Sequence, residues 1–240
     1  MNASLKGKVA LVTGGSAGIG LAAARELSAR GARVFVTGRR QAELDAAVAS
    51  IRNGATGIRA DASKLDDLDR VYAQIAREAD RLDIVFANAG GGDMLPLGSI
   101  TEEHFDRIFG TNVKGVLFTV QKALPLLRDG GSVVLMGSTA TVQGTANFSV
   151  YSASKAAVRN FARSWLLDLK ARHIRVNVIS PGPVSTPGLA GLVPAEHKEG
   201  LFAHLASNVP MGRLGKPEEI AKASFVNGIE LFVDGGIAQI

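Results

Sequence analysis

Two residues whose side chains could exchange protons, Tyr151 and Lys155, lie four positions apart in the segment Tyr-Ser-Ala-Ser-Lys. A spacing of four residues places both side chains on the same face of a helix. A free phenol has a pKa near ~10, and a neighbouring ammonium group stabilises the phenolate and lowers that pKa. The pair is therefore predicted to act in acid–base catalysis, with Tyr151 donating or accepting the proton. Because the spacing is common in helices, this assignment depends on the residues around it.

A hydroxyl group is expected close to this pair. Ser138 lies thirteen residues before Tyr151, directly after the apolar run 132–137. In a parallel sheet, ligands bind beyond the carboxyl ends of the strands, and a strand over 132–137 would place Ser138 there. Two further segments, 88–90 and 181–182, are predicted to follow neighbouring strands at the same edge, although each could serve only as a turn.

A glycine-rich segment, Thr13-Gly14-Gly15-Ser16-Ala17-Gly18-Ile19-Gly20, follows the first predicted strand and opens a helix. Glycines allow the backbone to approach a pyrophosphate, and the N–H groups at a helix N-terminus favour its negative charge. The glycine spacing differs from the commoner G-x-G-x-x-G pattern. We predict a dinucleotide-binding turn; a purely structural glycine-rich turn is the alternative.

Cofactor choice is predicted from the end of the second strand, which reads Thr37-Gly38-Arg39-Arg40. NAD-binding sheets place an acidic residue there to bind the ribose 2′-hydroxyl, whereas a guanidinium group pairs well with a 2′-phosphate. Arg39 and Arg40 therefore favour NADP(H), with NAD(H) as the alternative. An arginine pair exposed at the start of a helix would have the same sequence.

The elements that position these residues alternate between short β-branched runs and longer helical segments, which predicts one α/β domain over residues 1–240 with a doubly wound parallel sheet. The predicted strands are 9–13, 33–37, 56–59, 83–87, 132–137, 175–179 and 230–233. The predicted helices are 18–30, 41–51, 65–79, 102–127 with an internal break, and 150–172. A loop follows the sixth strand over 180–194, and residues 184–209 are expected to form a substrate lid.

Composition excludes several other classes. Hydrophobic residues make up 46% of the chain and charged residues 20%, which predicts a folded protein. The net charge of +5 is scattered, aromatic content is 5% and cysteine is absent, so we expect no nucleic-acid binding, no disulfide and no thiolate metal site. No apolar run or signal segment predicts a membrane protein, and a cytoplasmic protein is expected. The four histidines, His104, His173, His197 and His204, lack ligand spacing and are interpreted as surface or lid residues, so no metal site is predicted.

Taken together, these motifs resemble those of the short-chain dehydrogenase/reductase family over nearly the whole chain. The matching residues are Thr13-Gly14-x-x-x-Gly18-Ile19-Gly20, Asp61, Asn88-Ala89-Gly90, Asn112, Ser138, Tyr151-x-x-x-Lys155, Pro181-Gly182 and Thr186. The resemblance implies a Rossmann-type sheet of seven parallel strands flanked by helices, assembled into homotetramers or homodimers. It also implies hydride transfer between NADP(H) and a carbonyl or alcohol carbon.

Residue roles follow from the same resemblance. Tyr151 is implied to be the general acid/base, Ser138 to stabilise the substrate oxygen, Lys155 to lower the tyrosine pKa and hold the ribose, and Asn112 to hold a relay water. Asp61 is implied to contact the adenine, and Thr186 the nicotinamide carboxamide. Capping a helix is the alternative for Asn112, and a loop acid the alternative for Asp61. The implied cofactor-binding residues are Gly14, Ser16, Gly18, Ile19, Gly20, Arg39, Arg40, Asp61, Ala62, Asn88, Ala89, Gly90, Tyr151, Lys155, Pro181, Gly182, Val184 and Thr186.

The substrate is predicted less closely than the chemistry. Met94, Leu95, Val142 and Phe148 suggest a small, apolar carbonyl or alcohol, although core packing would explain the same residues. A 3-oxoacyl carrier-protein reductase is an alternative; it would need a basic docking patch, for which Arg172 is a candidate. A protein that binds NADP(H) without catalysis is the alternative from another class.

The sequence departs from the family pattern near its carboxyl end. Family members carry a helix of several turns and a loop after Pro217-Glu218-Glu219, whereas here the segment runs almost directly into 224–228. About one or two helical turns are thus missing around Ala223 to Phe225. We interpret the gap as residues lost from the sequence; a true deletion is the alternative.

Overall fold

The computed structural model describes residues 4–222 and 230–239, where seven strands form one parallel sheet. The segment around Ala223 to Phe225 lies outside the described residues. The strands are β1 Val9–Val12, β2 Arg33–Gly38, β3 Ala55–Arg59, β4 Leu82–Ala87, β5 Leu127–Met136, β6 Arg175–Pro181 and β7 Glu230–Val233. Their order in the sheet is β3-β2-β1-β4-β5-β6-β7. The predicted doubly wound parallel sheet is confirmed.

The crossovers between the strands are helical. The α-helices of the described residues are α1 Gly18–Ala29, α2 Gln41–Ser50, α3 Leu65–Ala79, α4 Glu102–Phe109, α5 Gly115–Ala123, α6 Ser149–Asp168, α7 Pro187–Ala190, α8 Lys198–Asn208 and α9 Pro217–Ala221. The predicted break within 102–127 is a π-helical turn, Gly110–Lys114, between α4 and α5. A π-turn inside a helix is uncommon and often marks a functional site.

Helices cover both faces of the sheet. One apolar cluster joins Leu11 and Phe35 of the strands to Val71 of α3, Val120 of α5 and Val158 of α6. A second cluster, on the other face, joins residues such as Val12 and Val36 to helices α1, α2 and α9. Alternate residues of a strand point to opposite faces, so strands buried on both sides must be continuously apolar. The apolar runs in the sequence are explained by this arrangement.

The topology creates one crevice at the carboxyl edge of the sheet. From β1 the chain builds outward through β2 to β3, then returns and builds in the other direction from β4 to β7. Strands β1 and β4 are therefore neighbours whose following loops diverge, which is where open α/β sheets bind ligands.

Some expectations need correction. His104 is buried, with 7% of its surface exposed, because it starts the inner face of α4; it is not a surface residue. The stretch 180–194 is not all loop, since β6 continues to Pro181 and α7 begins at Pro187. No helix among residues 4–222 and 230–239 combines the length and apolar character needed to cross a membrane.

The proposed docking arginine also lies in a different place. Arg172 follows α6 and precedes β6, so it is at the amino edge of the sheet, away from the crevice. Its guanidinium donates to Asp129 at 2.8 Å and to the carbonyl of Leu124 at 3.0 Å. Asp129, which the sequence suggested to lie beside the substrate entrance, is near the start of β5 at the same amino edge. Arg172, the residue suggested for a docking patch, therefore lies away from the crevice.

Candidate active site

The turn between β1 and α1 is built for close approach by a ligand. Gly14 and Gly18 have φ of +63° and +53°, in the left-handed region that favours glycine. A Cβ on Gly20 would lie only 2.2 Å from the carbonyl oxygen of Gly14, so only glycine fits there. The helix α1 begins at Gly18 with no side-chain cap on its first N–H groups. A compact turn at a helix N-terminus suits a pyrophosphate group.

The strand ends at the crevice are tied together by Thr13 and Asn88. The Thr13 hydroxyl accepts hydrogen bonds from the backbone N–H groups of Asn88 and Ala89, each at 3.1 Å. The Asn88 amide in turn donates to the carbonyls of Thr13 and Gly14, at 3.0 and 3.1 Å. Asn88 thus fixes the glycine turn, and the predicted segment 88–90 lies beside it.

The two arginines after β2 are both exposed, but their surroundings differ. Arg40 forms an ion pair with Glu43 in the first turn of α2. No ion pair of Arg39 is found in the described part of the chain. A Cβ on Gly38 would lie 2.8 Å from the hydroxyl oxygen of Ser16, so Ser16 of the glycine turn contacts the end of β2 beside Arg39. Arg39 and Ser16 therefore suit a phosphate better than Arg40 does.

Tyr151 lies in the first turn of α6 under a cover of apolar and backbone groups. Its ring stacks on Phe148 with centroids 4.3 Å apart. The backbone of Gly92 lies against the same ring, since a Cβ there would be 2.5 Å from Cδ2 of Tyr151. The loops are held together by a hydrogen bond of 2.7 Å from the N–H of Leu95 to the carbonyl of Asn147.

The pKa of Tyr151 differs from the sequence prediction. Burial raises it, while the side-chain hydrogen bond with Ser138 lowers it. Removal of a phenol from water penalises the phenolate, and in the chain by itself this effect is the larger one. The pairing of Ser138 with Tyr151 agrees with their predicted placement at one edge of the sheet.

Lys155 lies one turn after Tyr151 on α6 and is almost completely buried. Its ammonium group donates a hydrogen bond of 2.9 Å to the carbonyl of Met136, two residues before Ser138. It is 5.8 Å from the centroid of the Tyr151 ring. Burial lowers the pKa of Lys155 to about 8. The lysine is therefore within electrostatic reach of the phenol.

Asn112 is fully buried in the π-helical turn. Its amide nitrogen donates to the carbonyl of Gly91 and to the hydroxyl of Ser154, both at 2.9 Å, and its oxygen accepts from the N–H of Gly91 at 3.0 Å. A Cβ on Gly90 would lie close to both the Asn112 oxygen and the Lys155 nitrogen, so those atoms are neighbours. Asn112 is inside the π-helical turn and is not a helix cap, and its side chain lies next to Lys155.

The remaining predicted residues lie around the crevice. Asp61, after β3, accepts hydrogen bonds from the N–H and hydroxyl of Ser63, at 3.0 and 2.8 Å; Ala62 beside it is buried. The Thr186 hydroxyl caps α7 by accepting from Leu189, and its methyl group lies near Gly18. Val184, at the start of the predicted lid, forms an isolated parallel β-bridge with Gly215.

Two residues that contact the Tyr151 region were not predicted from the sequence. Ser154 donates to the carbonyl of Tyr151 at 2.6 Å and accepts from Asn112, so it links the two. Its position next to Lys155 was the available signal. Gly92 was visible only as part of a glycine run, and nothing in the sequence places its backbone on the tyrosine ring.

Comparisons with known proteins agree with this geometry. Residues 8–197 match the family description "short chain dehydrogenase". The "Oxidoreductase asL5" of Sarocladium schorii is 45% identical over 98% of both chains. The "Hydroxynaphthalene reductase-like protein Arp2" of Metarhizium brunneum is 36% identical, over 97% of this chain and 96% of its own. A short-chain type dehydrogenase/reductase from Mycobacterium marinum superimposes with a TM-score of 0.88 at 31% identity, covering 98% of this chain and 96% of that one.

The motifs, the crevice between β1 and β4 and these matches lead to one assignment. The chain belongs to the short-chain dehydrogenase/reductase family of oxidoreductases.

Proposed function

We propose that this chain catalyses reversible reduction of a carbonyl group to an alcohol with NADP(H), and that Tyr151 transfers the proton. The observation that carries the proposal is the grouping of Tyr151, its hydrogen-bond partner Ser138 and buried Lys155 at one end of the crevice. When bound, the nicotinamide supplies or accepts the hydride.

The cofactor would be held along the crevice. The glycine turn 14–20 suits the pyrophosphate, while Arg39 and Ser16 would receive the 2′-phosphate. Asp61 and Ala62 would flank the adenine, and residues 88–90 the ribose region. Lys155, the segment Pro181–Val184 and Thr186 would face the nicotinamide half. Apart from Lys155, which is on α6, these groups lie at or directly after the carboxyl ends of β1, β2, β3, β4 and β6.

Proton transfer follows from the side chains of the chain itself. Ser138 and Tyr151 donate hydrogen bonds to the substrate oxygen, on which negative charge grows during reduction, so they stabilise the transition state more than the ground state. Tyr151 then gives its proton to that oxygen. Lys155 stabilises the resulting phenolate. A water held by Asn112, whose oxygen is next to the Lys155 nitrogen, would carry a proton from solvent back to that phenolate.

The proposed substrate is small and apolar. Met94 and Val142, on loops beside Tyr151 and Ser138, expose 40% and 44% of their surfaces, and Phe148 adds an aromatic face. These residues favour an apolar, ring-containing ketone or alcohol. Hydroxynaphthalene-type compounds are the first choice to test, because a relative carries that word in its name.

The test is a panel of aromatic and aliphatic ketones and alcohols, followed by absorbance of NADPH or NADP⁺. Tyr151→Phe should bind NADPH normally and lose most turnover, by about a thousandfold or more. Tyr72→Phe is the matched control, because the other tyrosine of the chain is buried in the core. No turnover with any compound, or full turnover by Tyr151→Phe, would contradict the proposal.

The cofactor arm uses Arg39→Ala and Arg40→Ala. Removal of Arg39 should raise KM for NADPH by about tenfold or more and leave KM for NADH unchanged, since the lost partner is the 2′-phosphate. Removal of Arg40 should have less effect, because Arg40 is already paired with Glu43. Equal use of NADH and NADPH by the unaltered protein would reject the NADP(H) preference.

A further inference from the structure

A carboxylate with no role in the proposed chemistry, Glu230 of β7, is mostly buried beside β6 and α6. Only 10% of its side chain is exposed. Its Oε1 accepts a hydrogen bond of 2.6 Å from the hydroxyl of Ser180, which is fully buried on β6. Its Oε2 forms an ion pair with Arg159 of α6. One carboxylate therefore joins two strands to the helix that carries Tyr151 and Lys155.

A third contact leads from Glu230 to the turn that carries Ser138. The hydroxyl of Thr141 lies 3.5 Å from Oε1 of Glu230 and donates to the carbonyl of Ser138 at 2.9 Å. Thr141 ends a 3₁₀ turn, Thr139–Thr141, that directly follows Ser138. In the same turn the Ser138 hydroxyl oxygen accepts from the N–H of Ala140 at 3.2 Å. The orientation of Ser138 thus depends on a turn that Glu230 contacts through Thr141.

The arginine that pairs with Glu230 is well placed to act on the catalytic helix. Arg159 lies four residues after Lys155 and eight after Tyr151 on α6. Residues four apart lie one turn apart on the same side of a helix, so all three share one side of α6. The ion pair of Arg159 with Glu230 consequently holds that side of the helix against the sheet.

Burial of this pair is costly without compensation. A carboxylate removed from water must be paired and hydrogen-bonded, and breaking such a pair leaves an uncompensated charge in the interior. Glu230 has both an arginine and a serine as partners. Apolar residues of similar volume could stabilise the fold as well as this ion pair does. We therefore attribute the pair to the positions that it gives β7 and α6, and not to a gain in stability.

We propose that Glu230 is a positioning residue that holds the Ser138 turn and the Tyr151 helix at the separation needed for their hydrogen bond. Glu230 touches neither substrate nor cofactor in this proposal and acts through Thr141 and Arg159. The inference rests on the proposed function, because it concerns the same proton transfer.

The test is Glu230→Gln, which keeps the shape of the side chain and removes its charge. In the direction of alcohol oxidation, kcat should fall by about tenfold to a hundredfold, while KM for the cofactor changes less than about twofold. The substrate is whichever alcohol of the panel the unaltered protein oxidises best. The rising limb of the pH profile should also move to higher pH, because the hydrogen bond from Ser138 lowers the pKa of Tyr151.

A matched control separates positioning from general destabilisation. Glu78→Gln also breaks a glutamate–arginine pair, in which Glu78 and Arg33 are 2.8 Å apart, but at the amino edge of the sheet. It should leave kcat and the pH limb unchanged. Thr141→Val removes only the hydroxyl between Ser138 and Glu230. It should move the limb in the same direction by a smaller amount, and it decides the question if Glu230→Gln does not fold.

The outcomes are distinguishable. If Glu230→Gln and Thr141→Val lower the melting temperature or kcat without moving the pH limb, Glu230 is structural only and this inference is overturned. If Tyr151→Phe is fully active, the proposed function itself is wrong, whatever the Glu230 variant does. Loss of turnover in Tyr151→Phe together with a shifted limb in Glu230→Gln and Thr141→Val supports both.

Discussion

Lys155 has an environment that favours its neutral form, since only 3% of its surface is exposed and its ammonium group donates to the neutral carbonyl of Met136. Burial lowers its pKa to about 8, from an ordinary value of 10.5. Below about pH 8 the folded protein therefore carries a buried ammonium that the unfolded chain would hydrate. A negatively charged partner would remove this disadvantage, which is the situation created when Tyr151 loses its proton.

A pH dependence of stability follows for the chain without cofactor. Between about pH 8 and 10.5 the unfolded chain binds more protons at Lys155 than the folded chain, so the free energy of unfolding gains from this group as pH rises. Lys155→Met removes the contribution, which is of the order of 3 kcal/mol over the whole window. Urea unfolding should show that the free energy of unfolding of the unaltered protein, relative to that of the variant, is higher at pH 9.5 than at pH 7.5. An offset that is the same at both pH values would contradict the assignment.

The loop between β4 and α4 lies against Tyr151, the proposed acid. Its backbone at Gly92 lies on the ring of Tyr151, with Phe148 on the same side; a Cβ would be 3.0 Å from that phenylalanine. The N–H of Gly91 and its carbonyl are held by Asn112. The loop is thus held by hydrogen bonds at Gly91, and its backbone at Gly92 packs against the Tyr151 ring.

We predict different effects for the two neighbouring glycines. Gly92→Ala should lower kcat by about tenfold or more, because a Cβ only 2.5 Å from Cδ2 must displace the Tyr151 ring. Gly91→Ala is the control, since a Cβ there meets nothing within 4 Å. Steady-state kinetics should show KM for the cofactor unchanged in both variants. Equal kcat values for the two would mean that the loop does not position the tyrosine.

Elements with strong local signals were predicted well. The helix over 65–79 has the bounds expected, because its apolar residues recur with helical period between Lys64 and Asp80. The strand over 230–233 also has the predicted bounds. Strand β5 starts at Leu127 instead of 132, since Leu127 pairs with Leu82 across an irregular register that no local pattern reveals. Helix α7 was missed because four residues give no periodicity; Thr186 and Pro187 at its start were the only signals.

The site was predictable where chemistry requires a residue type, and not where it requires a contact. Ser138, Tyr151 and Lys155 could be proposed from their types, their spacing and the motifs around them, and the structure places them close together. The partners of Asn112, by contrast, come from a glycine twenty-one residues earlier and a serine forty-two residues later. The raised pKa of Tyr151 depends on burial by loops that only the folded chain brings together. Long-range packing of this kind leaves no signal in a single sequence.

In the molecule as a whole, the carboxyl edge and the amino edge of the sheet carry different kinds of residue. The carboxyl edge carries the glycine turn and the residues proposed to be catalytic, which agrees with ligand binding at the carboxyl ends of parallel strands. The amino edge carries ion pairs: Lys8, directly before β1, pairs with Asp83 of β4, and Arg33 of β2 pairs with Glu78 of α3. The charges at the amino edge are therefore expected to affect stability and not catalysis.

Arg172 gives the sharpest test of this division. Its guanidinium contacts Asp129 and the carbonyls of Leu124 and Leu127, and so joins the end of α6 to the start of β5. Arg172→Ala removes the three hydrogen bonds that this guanidinium donates, and it should lower the free energy of unfolding by roughly 1 to 3 kcal/mol. Because these contacts lie at the edge opposite Ser138 and Tyr151, kcat should stay within about twofold. Arg128→Ala, at an exposed arginine of β5, is the control and should change neither the free energy of unfolding nor kcat. The measurements are urea unfolding and steady-state kinetics; a large fall in kcat for Arg172→Ala at unchanged stability would refute the division of the sheet into a catalytic and a structural edge.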